Sequence, residues 1–148
     1  VNVSDGAAQS GEDKIWALAD SPLGPWTLEL TAEEATSLLA LRVPGSPFLN
    51  PQVHFADDHV YISGVVHMGA PLTVASSWSA PMVDGRPRVI LERAAIGPFA
   101  LAPFLLNSVS ATINEMIDES GTGILPTRIT IGEGQIIIEG VKGAPTVP

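Results

Sequence analysis

Cysteine is absent, so a disulfide framework, a thiolate metal site and a cysteine nucleophile are excluded together. Basic residues are scarce. Seven Lys and Arg stand against sixteen Asp and Glu, a net charge of −9. The nearest thing to a basic cluster is Arg86, Arg88 and Arg93, too little to grip a phosphate backbone, so no nucleic-acid partner is expected. The same charge works against attraction to anionic head groups, so any peripheral membrane contact must be apolar. No apolar run reaches the roughly 18 residues that a spanning helix needs. Catalytic signatures are missing as well: there is no G-x-S-x-G, H-E-x-x-H, P-loop or dinucleotide fingerprint. No catalytic residue, cofactor or resident metal is expected.

What remains is a chain of 148 residues in which 45% are hydrophobic and 16% charged. That balance argues against disorder and for one domain with a core. Residues 1–13 are small, polar and aperiodic, and are expected to form a disordered lead or tether. Asn2-Val3-Ser4 matches the glycosylation triplet, which chance readily supplies. The chain opens on Val1 rather than Met, as expected of a trimmed chain or of a mature form whose leader was removed. Residues 14–142 are expected to form a single α+β domain and 143–148 a tail.

Within that domain Lys14 to Ala19 suits a strand or a short helix. Trp26 to Leu30 alternates as a strand. Thr31 with Glu34 is a capping-box pair that opens a short helix, and Pro44-Gly45 closes it. From Val53 the period becomes two. Strands are expected over Val53–Phe55, Val60–Val66, Leu72–Trp78 and Arg86–Ala94, with turns at Asp57-Asp58, Gly69 to Pro71 and Asp84-Gly85. A last hairpin joins Thr127–Ile131 to Gln135–Val141.

Between these strands lies a long amphipathic helix, Pro103 to Ser120. Leu105, Val109, Ile113, Met116 and Ile117 recur at spacings of three and four on one face. Gly121, Gly123 and Pro126 stop it. The expected architecture is α+β: a curved antiparallel sheet, made of a four-strand meander and the C-terminal hairpin, wrapped on this helix, with the shorter helix near the N-terminus beside it.

Three histidines invite a metal. One hairpin register sets His54 against His59, about 5 Å apart between Cβ atoms. Another pairs Phe55 with Val60 and Val53 with Ile62, apolar with apolar, and puts His54 against Tyr61. The second is favoured, and no metal site is expected. His67 stands about 26 Å along the strand from His59. Glu115, Asp118 and Glu119 fall on the polar helix face and read as solvated.

The uncharged stretch Ile96 to Leu106 is the positive signal. Ordinary core packing explains it. So does a groove for an acyl chain lined by Trp78, Met82, Phe99, Leu101, Phe104, Leu105 and Val109, because sites for apolar ligands are concave and sparsely polar. At about 0.8 kcal/mol per buried CH₂, a chain binds without any charged partner.

HVYISGVV, VDGRPRVILERAAIG, PFLLNSVSATINEMIDE and LPTRITIGEGQIIIEG resemble bacterial extracytoplasmic LmeA-like proteins, lipid binders related to the tubular lipid-binding superfamily. The resemblance covers roughly Leu30 to Val141. It implies non-catalytic binding of a lipid or similar apolar small molecule, by a protein secreted or tethered to the outer face of a membrane. The chain is about half the length of a two-lobed member, which implies a shallow groove or a tunnel completed by a second copy. The alternative expectation is a structural or interaction module whose apolar patch is a homodimer interface.

Overall fold

A computed structural model describes residues 2–20, 22–43, 49–118 and 124–142. The fold is α+β, with antiparallel sheets and three helices.

The first helix, α1, runs Asp5–Ala19, so Asp5 to Asp13, expected as a disordered lead, are helical. Ser4 of the glycosylation triplet caps it, accepting the Ala7 N–H. The large apolar stripe that announces most helices is missing. Instead α1 docks through small residues and charge. Ala8 is fully buried, and a Cβ at Gly11 would meet Leu38 Cδ1 at 2.7 Å. Arg42 bridges back to Asp5 at 2.8 Å and to Glu12.

The second helix, α2 (Ala32–Leu41), opens on the expected capping box. Thr31 Oγ1 accepts the Glu34 N–H at 3.1 Å, and Glu34 Oε1 accepts the Thr31 N–H at 3.0 Å. Glu34 also takes hydrogen bonds from Lys14 Nζ at 2.8 Å and Ser10 Oγ at 2.7 Å, both on α1. One buried carboxylate thus caps α2 and clamps α1 to it. The expected stops at Pro44-Gly45 and at Gly121 and Gly123, and the tail 143–148, lie outside the described residues.

The strands divide into two main sheets rather than one. β1 (Gly24–Thr31), β9 (Ile124–Gly132) and β10 (Gln135–Lys142) form a three-stranded sheet in the order β1-β10-β9. β2 (Leu49–Ala56), β3 (His59–His67), β4 (Pro71–Ser79), β7 (Ile90–Ile96) and β8 (Phe99–Ala100) form a five-stranded sheet in that order. The expected meander is therefore present, but the C-terminal hairpin pairs with β1. The β2–β3 hairpin has the apolar register, Phe55 with Val60 and Val53 with Ile62, and so sets His54 against Tyr61. Prolines follow the sheet's rules. Pro25, Pro51 and Pro126 sit in the edge strands β1, β2 and β9, and Pro71 opens β4.

Arg86 to Ala94, expected as one strand, is broken. Arg86-Pro87 (β6) pairs with Met82-Val83 (β5) across the Asp84-Gly85 turn, and β7 starts only at Ile90. The break has a cause in the third helix, α3 (Pro103–Asp118). Asn114 Oδ1 accepts the Val89 N–H and Asn114 Nδ2 donates to the Val89 carbonyl, each at 2.9 Å. Ser110 Oγ accepts the Leu91 N–H at 2.8 Å. Side chains of α3 take the place of a neighbouring strand.

This turns α3 relative to expectation. Ser110 is buried and Asn114 half-buried, while Leu105 and Val109, expected on the inner face, are exposed. Turned this way, Ser110 and Asn114 satisfy backbone groups of Val89 and Leu91 that would each cost about 1–3 kcal/mol if buried without partners.

The other edge of this sheet is closed the same way. Thr36 Oγ1 on α2 accepts the Val53 N–H at 2.9 Å and donates to the Val53 carbonyl at 3.3 Å. Gly134 N donates to the Phe55 carbonyl at 2.9 Å. The core of Val53, Phe55 and Ile131 lies where α2 and the two sheets meet.

Two outcomes follow for stability. Burial pushes the Glu34 carboxyl up, but hydrogen bonds from Lys14, the Thr31 backbone and Ser10 outweigh it and bring it from 4.5 down to about 2. Its stabilisation is complete above the unfolded value and fades as pH falls from about 4.5 towards 2. Glu34→Gln is expected to cost ~2–3 kcal/mol at neutral pH and to converge with the parent in acid, measured by urea unfolding at several pH values. Asn114→Ala, which leaves the Val89 groups without their partner, is expected to cost ~1–3 kcal/mol. Hydrogen exchange at the Val89 amide is expected to speed up in that variant.

Candidate functional site

Each sheet turns one apolar face towards the other. On β10, Ile136 and Ile138 point to the same side, and the register sets them beside Ile131 and Ile129 of β9. On the facing sheet, Val60 lies opposite Trp78, and Ile62 follows Val60 two residues on. Between these walls is a cavity of about 600 Å³. Trp26 and Pro126 line it from the three-stranded sheet, and Ile113 of α3 with Val89 closes one side. Ser79 is the one hydroxyl among the lining side chains.

Trp78 is held by local hydrogen bonding. Its indole N–H donates to Ser76 Oγ at 2.9 Å, and that hydroxyl donates to the Ile62 carbonyl at 3.0 Å. The ring is therefore fixed and its polar atom satisfied, leaving an apolar surface to the cavity. Trp26 Nε1, by contrast, is buried with no hydrogen-bond partner among the described residues.

Of the residues expected to line a groove, Trp78 lies in this wall. Met82 sits in the β5–β6 ribbon and lines a neighbouring recess. Leu101 lines a separate recess of about 380 Å³ with Tyr61, Arg93 and Leu106. Phe99 and Phe104 are 71% and 69% exposed, and Leu105 and Val109 are also exposed. The structure does not bring these six together with Trp78. The isoleucines of β9 and β10 and the pair Val60 and Ile62 were readable as apolar strand faces, but the sequence carries no mark that the two faces oppose one another.

The neighbouring recess, about 510 Å³, is of mixed character, with Pro81, Met82 and Ile90 beside charged groups. Asp58, His59, Glu92, Arg128 and Thr130 line it, and it shares Ser79, Ala80, Ile129 and Ile131 with the apolar cavity. His59 Nε2 lies 2.7 Å from Glu92 Oε2, and Nδ1 lies 2.6 Å from the Asp57 carbonyl oxygen. Both partners are acceptors, so the two contacts favour the imidazolium, in which both ring nitrogens donate. A histidine and a carboxylate thus meet in a recess, as an acid–base site requires. With both nitrogens engaged, neither is open to a substrate proton.

Among the described residues, no group of three or more His, Asp and Glu side chains is placed to hold a metal. No described helix is long and apolar enough to cross a membrane.

The Asp57 carbonyl first, and then Glu92, hold the His59 imidazole above its ordinary value. The stabilisation from this pair is fully present below the unfolded value of about 6.5 and is lost as pH rises through the folded one. A proton NMR titration is expected to place His59 above the ordinary imidazole range. Glu92→Gln is expected to bring it part of the way down, because the carbonyl remains.

No family model, no curated protein and no solved structure matches this chain.

Proposed function

We propose that the protein binds a lipid chain or a similar apolar small molecule in the cavity between its two sheets, without catalysis. The observation that carries the reading is the cavity itself: about 600 Å³ with walls of Ile, Val, Trp and Pro. Protein interiors are close-packed, and voids beyond the size of a water molecule are few. This space is a cleft partly open to solvent, so while it is empty its apolar walls are held against water at a cost of about 25 cal/mol per Å². Water fills such a space poorly, since it finds almost no polar partner there. An apolar ligand of a volume typical for binding sites removes that cost.

In this reading the two sheets and α3 act together as a curved wrap around the ligand, with α3 as one wall. The resemblance of the strand and helix segments to LmeA-like, tubular lipid-binding proteins supports the same ligand class. It is also the ground for proposing a bacterial protein that works outside the cytoplasm, secreted or tethered to the outer face of a membrane.

A second reading rests on a different observation. Phe99 and Phe104, 71% and 69% exposed, stand near Leu105 and Val109 on the outside of β8 and α3. This uncharged patch suits a homodimer interface or an apolar peripheral membrane contact.

Native mass spectrometry of the purified protein, followed by solvent extraction, tests the first reading. A lipid at near-stoichiometric amount is expected, and Ala80→Phe, which fills the cavity's edge, is expected to lose it while the fold persists by circular dichroism. A ligand-free protein that also fails to take up an apolar fluorophore would sink the proposal. A stable dimer by light scattering, dissociated by Phe99→Ser with Phe104→Ser, would favour the second reading.

A further inference from the structure

We infer that the ligand is an amphiphile with an anionic head, a carboxylate or a phosphate monoester, whose head pairs with Arg128 while its chain lies in the apolar cavity. The inference rests on that cavity being the ligand site. The cavity and the mixed recess share Ser79 and Ala80 on one side and Ile129 and Ile131 on the other. Those four residues lie between a space with no charged group and one that carries several, so a chain in the first can place its head among the charges of the second.

The charged groups of the recess are Asp58, His59, Glu92 and Arg128. His59 and Glu92 satisfy each other at 2.7 Å. Lys14 is engaged by Glu34, and Arg42 by Asp5 and Glu12, elsewhere in the molecule. Among the described residues, Arg128 makes no ion pair or hydrogen bond with any side chain. Among the same residues, Arg93 also lacks an ion pair but lines the separate recess with Leu101, and Glu139, opposite Arg128 in the register, forms no ion pair with it, so Arg128 is the cation beside the apolar cavity that is open to an anion.

The planar fork of Arg matches the two oxygens of a carboxylate or phosphate. Asp58 opposes an anion, but it lies exposed in the β2–β3 turn, where solvent and salt weaken its field. Thr130 adds a hydroxyl donor to the same wall. A neutral ester head can take only one weaker hydrogen bond from Arg128.

Displacement of a bound apolar fluorophore by dodecanoate, dodecyl phosphate and methyl dodecanoate tests this. At least one anionic ligand is expected to bind about tenfold more tightly than the ester, as one charge-assisted contact supplies. Arg128→Gln is expected to remove that preference, weakening the anions about tenfold and the ester much less, with Arg128→Lys retaining part of it. A preference for both anions assigns the shared chemistry, and a preference for one selects carboxylate or phosphate. Equal binding of acid and ester, or a preference that survives in Arg128→Gln, overturns the head assignment and leaves the cavity reading standing. If none of the three displaces the fluorophore, both fail.

Discussion

Every exposed strand edge presents unpaired N–H and C=O groups, and the disposal of those groups governs how this molecule is assembled. The five-stranded sheet ends at β2 on one side and, along most of its length, at β7 on the other. At β2, Thr36 engages both backbone groups of Val53, and Gly134 reaches the Phe55 carbonyl. At β7, Asn114 takes both groups of Val89, and Ser110 takes the Leu91 N–H. Helices thus serve as surrogate strands. Because a side-chain amide imitates a peptide group, one asparagine does at Val89 what a ladder position would do. The two helices are fixed in place by this demand as much as by apolar contact.

The cavity is a consequence of that arrangement. Thr36 pins α2 to β2, and Gly134, between β9 and β10, is tied to Phe55 of β2 and to Ala32 of α2, so the two sheets are joined at this edge. The core of Val53, Phe55 and Ile131 fills one end. Further along, Trp78 is tied to Ser76 and stands in the wall rather than in the space. The remaining walls are β-branched and short, and they leave room that no side chain of the described residues occupies.

Local signals in the chain were readable where the physics is local. The Thr31 and Glu34 capping box, the Asp57-Asp58 turn and the apolar pairing of Phe55 with Val60 each depend on residues a few positions apart. The segments that differ from expectation depend on distant partners. Helix α1 has no apolar stripe because it docks through Ala8, Gly11 and Arg42, and only the last of these, in another element, makes its polar face useful. On α3, Ile113 lines the cavity as its place on the apolar face implies, whereas Ser110 and Asn114 look like solvent-facing residues until an unpaired strand edge stands opposite them. The separation of the C-terminal hairpin from the meander also eluded the pattern, since alternation specifies which residues share a face and is silent on which strand lies alongside.

Trp78 was the one expected lining residue that the cavity contains, and it was legible because a large ring in an alternating strand must be put somewhere. Phe99 and Phe104 were misleading for the complementary reason: apolar character alone does not say that a residue turns inward.

An apolar hollow of this size also makes the folded state sensitive to supply. Any compound that occupies it, and finds no comparable site on the unfolded chain, shifts the equilibrium by mass action, by ~2.7 kcal/mol at a hundredfold excess over its dissociation constant. A gain of that order changes the fraction of unfolded molecules offered to proteases about a hundredfold. Such a protein would be long-lived where its ligand is plentiful and short-lived where it is scarce, with its abundance a record of what fills it.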